Sequence, residues 1–105
     1  MISRIWHGYT LPANADVYET LQRDEIITGI EDRSIDGFLE IQVFRRDLSD
    51  EVEFITVMWF DSMDAVRAFA GDDHEASVVP PAARELLARF HARSQHYEVR
   101  ERRIP

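Results

Sequence analysis

The run Val52 to Phe60, Val-Glu-Phe-Ile-Thr-Val-Met-Trp-Phe, limits the possible folds more than any other part of the chain. β-Branched and aromatic residues dominate it, so it reads as a strand. Period-two geometry places Ile55, Val57 and Trp59 on one face and Phe54, Thr56, Met58 and Phe60 on the other, so both faces are apolar. Such a strand needs cover on both sides, and helices that pack on one face leave the second to another layer. A second copy of the chain is the simplest supplier, because twofold pairing lets one apolar patch cover its own equivalent.

The flanking segments fit one pattern. Ile2 to Tyr9 reads as a first strand stopped by Leu11-Pro12, with Ser3, Ile5, His7 and Tyr9 on one side and Ile2, Arg4, Trp6 and Gly8 on the other. Asn14 is placed to cap a helix running to near Arg33, with Val17, Tyr18, Leu21 and Ile26 as its buried stripe and a bend expected at Gly29. Asp36-Gly37 marks a turn, and Phe38 to Arg46 pairs with Val52 to Phe60 across the polar link Asp47 to Glu51 as a hairpin. Asp61 or Ser62 caps a short second helix that Gly71 ends. Pro81 opens a further helical piece, Ala82 to Phe90, before a last strand from Ser94 to Arg103. The order predicts one α+β domain over residues 1–105, a ferredoxin-like βαββαβ unit with a four-stranded antiparallel sheet.

Composition narrows the partners. The net charge of −8, with all twelve basic residues arginine, opposes binding to phosphate backbones and anionic lipid, so neither nucleic acid nor membrane is expected. Six of those arginines, at 84, 89, 93, 100, 102 and 103, lie in the last quarter of the chain. The chain has no cysteine, which excludes disulfides and thiolate sites and points to the cytoplasm. It contains no GxSxG, P-loop or dinucleotide motif. Asp72-Asp73-His74-Glu75 lacks the spacing of a metal loop, and His91 and His96 point to opposite faces of an extended segment, so no metal is expected.

Arg4-Ile5-Trp6-His7-Gly8, Glu53 through Ser62 and Ala65-Val66-Arg67-Ala68-Phe69 resemble sequences of the antibiotic biosynthesis monooxygenase family. The junction Phe60-Asp61-Ser62 is the most recognisable part. The resemblance spans roughly Ile2 to Arg100 and implies a dimeric α/β barrel, a homodimer with a pocket between helices and sheet in each subunit. Some similar proteins oxidise aromatic polyketides with oxygen and no cofactor, and others degrade haem. The residue trio of the haem-degrading members falls at His7, Phe69 and Val79, where all three identities differ. The trio of the polyketide oxidases falls at Thr56, Phe60 and Val66, where only an aromatic wall persists.

His7 is the candidate catalytic base, because an imidazole titrates near neutrality and could take a phenol or enol proton. Tyr9 and Thr56 are the candidate groups for orienting polar substrate atoms, with Phe60 and Phe69 as the walls of an aromatic slot. Trp6 and Trp59 are expected at the dimer contact. The reading is a cofactor-independent monooxygenase of a hydrophobic aromatic or polyketide-like metabolite. Its alternatives are a non-catalytic binding or accessory dimer, isomerase, cyclase or lyase chemistry, and haem degradation.

Overall fold

The computed structural model describes residues 1–105. Its elements are β1 (Ile2–Thr10), α1 (Ala15–Leu21), a π-helical turn (Gln22–Ile26), α2 (Ile27–Asp32), β2 (Phe38–Asp47), β3 (Val52–Phe60), α3 (Met63–Ala70), α4 (Pro81–Leu86), β4 (Leu87–Phe90) and β5 (Gln95–Glu98). The sheet is antiparallel in the order β2-β3-β1-β4, with β5 also on β1. β4 lies beside Gly8 to Thr10 and β5 beside Ile2 to Ile5, so two short strands share the edge position that one long strand was expected to fill. The ferredoxin-like order is therefore present in a five-stranded sheet. No helix is long and apolar enough to cross a membrane.

Several local expectations hold for their stated reasons. The Ser62 hydroxyl accepts from the Ala65 N–H and caps α3, Gly71 ends that helix at φ +89°, and Pro81 begins α4. Others are corrected. Asn14 makes no cap; its side-chain amide donates to the Leu86 carbonyl at 3.4 Å. The irregularity of the first helix falls at Gln22–Ile26 and not at Gly29, and Val17 faces solvent. The third helical piece stops at Leu86, because Leu87 to Phe90 gain a sheet partner in β1.

β1 and β3 pair Ile2 with Phe60, Arg4 with Met58, Trp6 with Thr56, Gly8 with Phe54 and Thr10 with Val52. Directly opposed residues share a face, so this set looks toward the helices. Two buried clusters form there. Tyr18 meets Phe54 edge-on at 4.8 Å beside Ala15, Val52 and Ala83, while Phe60 lies between Phe38 and Phe69 beside Met58, Ala65 and Val66. The other face carries Ser3, Ile5, His7 and Tyr9 with Glu53, Ile55, Val57 and Trp59, and no helix covers it.

Candidate active site

Between the two clusters a cleft separates the sheet from the helices, with a volume of about 50 Å³. Its sheet wall is Arg4, Trp6, Ile41, Thr56 and Met58; its helical wall is Tyr18, Gln22, Ile26 and Ile30, with Phe69 from α3. The segment Val78 to Pro80 and Ser94 close its rim. The helical residues recur every fourth position, a spacing that drifts by about 40° per step in a regular α-helix. The i→i+5 bonding of the π-turn widens the helix where Gln22 and Ile26 lie, and all four side chains reach the cleft. Gln22 donates to the Tyr18 hydroxyl at 2.5 Å, and burial pushes the Tyr18 phenol up to about 12.

The Trp6 indole lies across its own strand because Gly8 has no side chain; a Cβ there would stand 2.5 Å from Trp6 Cη2. The indole N–H is shared between Ser77 Oγ at 3.1 Å and the His91 carbonyl at 3.0 Å. These bonds fix the ring as a wall of the cleft.

Arg4 is the unusual group. Its residue is 3% exposed, and its guanidinium donates to the His74 and Ala76 carbonyls and to His96 Nε2 at 3.0 Å. It also sits over the Phe69 ring at 5.3 Å. None of its partners is a carboxylate, and burial lowers its pKa to about 10, so it remains a cation at neutral pH. A guanidinium only donates, so His96 Nε2 must accept and the imidazole proton resides on Nδ1. That Nδ1 is buried without a partner, as are Thr56 Oγ1 and Ser94 Oγ.

Burial, followed by the Arg4 charge, holds His96 down to about 4. The folded imidazole therefore refuses a proton that the unfolded chain accepts below its ordinary value of about 6.5. The stability contributed by neutral His96 is complete above that value and is lost as pH falls toward 4. Proton-detected NMR should show the His96 ring titrating near 4. The wild type should also lose stability more steeply than His96→Gln between these values, by up to about 1.4 kcal/mol per pH unit for one proton.

The five residues singled out from sequence do not form one site. Thr56 and Phe69 line the cleft, while Phe60 is fully buried in the neighbouring cluster. His7 and Tyr9 are on the open face, since His7 pairs with Ile55 and Tyr9 with Glu53. The expected grouping of His7 with Thr56, Phe60 and Phe69 is corrected by that register. On the open face Glu53 Oε2 lies 3.3 Å from His7 Nδ1 and accepts from the Tyr9 hydroxyl at 3.1 Å, and His91 stacks on His7 at 4.8 Å. Trp6 belongs to the cleft and not to the open face; Trp59 is on the open face as expected. Asp73 pairs with Arg93 at 2.9 Å. Sequence reasoning missed Arg4, Gln22 and Ser94. The signal for Arg4 was Gly8, whose place two residues beyond Trp6 marks the face on which a large ring must lie flat.

No family model matches the sequence, and no curated protein matches it. Solved structures match its fold. One is a Bacillus cereus protein described as an antibiotic biosynthesis monooxygenase, with TM-score 0.62 and 13% identity over 99% of this chain and 98% of that one. The chain has the antibiotic biosynthesis monooxygenase fold. MhuD, the haem degrader of Mycobacterium tuberculosis, in a structure with two haems in its active site, has the same fold with TM-score 0.58 and 19% identity over 97% of this chain and 98% of that one.

Haem does not fit the donor set of this monooxygenase-fold cleft. No imidazole or thiolate lines it, Val79 occupies its rim, and the Tyr18 phenol keeps its proton and accepts from Gln22.

Proposed function

We propose that the chain is a small oxygenase of a hydrophobic aromatic or polyketide-like metabolite, working as a homodimer and using molecular oxygen without a resident cofactor. The observation that carries this reading is the apolar cleft walled by Trp6, Met58 and Phe69 on a monooxygenase fold. The substrate ionises at a phenol or enol, and the electron-rich ring carbon then gives electrons to oxygen. One oxygen atom becomes bonded to that carbon in place of its hydrogens, and the other leaves as water, so the substrate itself is the reductant. No lining side chain is a base with a neutral-range pKa, so the released proton passes to water at the mouth of the cleft.

Oxygen uptake with anthrone-like and phenolic compounds tests the reaction. Wild type should consume oxygen, and Ile30→Trp, which fills the cleft from its half-buried wall, should lower the rate at least tenfold. A rate kept by Ile30→Trp but lost by His7→Ala would move the chemistry to the open face, where Glu53 is placed to orient the imidazole. Turnover without oxygen uptake would favour an isomerase, cyclase or lyase, and binding without turnover an accessory protein.

The dimer rests on the open face. Ile5, Ile55 and Trp59 are only half-buried there, and Phe44 and Tyr97 are 47% and 55% exposed beside them. A second copy applied to this face supplies the missing layer. Phe44→Glu should shift sedimentation toward the monomer.

A further inference from the structure

We propose that Arg4, Thr56 and Ser94 form an anion subsite in the cleft, and that the ligand is an aromatic compound bound through an ionised oxygen. This inference rests on the reading of the cleft as the substrate site. It adds the charge that the substrate carries and the residues that recognise it.

The argument begins with charge. A buried cation without a carboxylate is expensive, because the carbonyls around it offer only partial dipoles in place of water. Arg4 is in that position, and no ion pair offsets it although acidic residues outnumber basic ones by 20 to 12 in the chain. Its neighbour His96 cannot help, since it is neutral and presents its remaining N–H as a donor.

The neighbouring polar atoms share the same sign of demand. Ser94 is 1% exposed, and its hydroxyl has no partner. The Thr56 hydroxyl is likewise unpartnered, on the strand face two residues from Met58, which pairs with Arg4. Each hydroxyl can rotate to donate, and the Arg4 charge favours that orientation for a bound anion. Buried donors beside an unpaired cation leave one deficit, which a ligand oxygen carrying negative charge would fill.

Size and shape agree. A volume of about 50 Å³ is sufficient for a carboxylate or a phenolate oxygen with a few attached atoms, and the cleft is open to solvent beyond them. The rest of a ring system would extend along the apolar wall of Ile26, Ile30 and Val78. A carboxylate and a phenolate make the same demand on these donors, so both are probed.

Isothermal titration calorimetry at neutral pH should show 2-naphthoate binding at least tenfold more tightly than its neutral isostere 2-naphthamide. 4-Nitrophenol should ionise more readily when bound, read as a gain in nitrophenolate absorbance. Arg4→Met should erase both effects. Should Arg4→Met fail to fold, the Thr56→Val and Ser94→Ala variants serve instead, each weakening naphthoate by about threefold to tenfold while leaving naphthamide unchanged. Equal affinity for the two naphthalene probes, a preference that survives Arg4→Met, or no binding of either would overturn the subsite. Oxygen uptake is a separate readout: uptake without anion preference defeats this inference alone, and anion preference without uptake defeats only the oxygenase assignment.

Discussion

Phe60→Ala is expected to lower the unfolding free energy by about 3–5 kcal/mol. Phe60 is fully buried, and its ring contacts Phe38 at 5.7 Å and Phe69 at 6.0 Å between β3 and α3. Removing it takes away the transfer energy of a whole aromatic ring and leaves a void that the helix, tied at Ser62 and Gly71, can close only in part. Urea denaturation at fixed protein concentration measures the change, because association would otherwise move the midpoint. A loss below about 1.5 kcal/mol would mean that this cluster is looser than the contacts indicate. The neighbouring cleft should respond as well, since Phe69 then loses the ring that supports it.

Gly37→Ala should cost about 3 kcal/mol, from two sources that point the same way. The residue sits at φ +87°, where an L side chain is strained. A Cβ there would also stand 2.3 Å from Asp61 Oδ1 and 2.8 Å from Ala65 Cβ. The carbonyl of Gly37 accepts from the Asp61 N–H at 2.8 Å, so the turn cannot simply move aside. Gly29→Ala is the matched control: its Cβ meets nothing within 4 Å, and the change should stabilise α2 by about 0.5–1 kcal/mol. Equal effects at the two glycines would refute the steric account.

The signals that could be read from sequence were those carried by one residue or one period. The hairpin, the Ser62 cap, the Gly71 stop and the Pro81 start each follow from local chemistry, and all are present. The face of β1 that meets the helices was not readable in this way. Ser3-Ile5-His7-Tyr9 and Ile2-Arg4-Trp6-Gly8 are both mixtures of apolar and polar groups, and an arginine argues against the side on which it lies. The register with β3 decides the matter, and register is a tertiary property. Leu86-Leu87-Ala88-Arg89 likewise has helical propensity throughout, and the exposed edge of β1 overrides it from Leu87 onward. The cleft was therefore half legible: Thr56 and Phe69 line it, while the register turns His7 and Tyr9 to the opposite face of the strand.

The wide turn at Gln22–Ile26 has a consequence for how such a protein could change its substrate. A regular helix of the same length would turn Ile26 about 80° and Ile30 about 120° away from the face of Tyr18, whereas losing one residue at the turn would restore regular winding with both still within about 20° of it. The dimensions of the chamber thus depend on how many residues the helix contains as much as on which ones. An insertion or deletion could reshape it while every other side chain kept its identity, a route to new specificity that no count of substitutions would reveal.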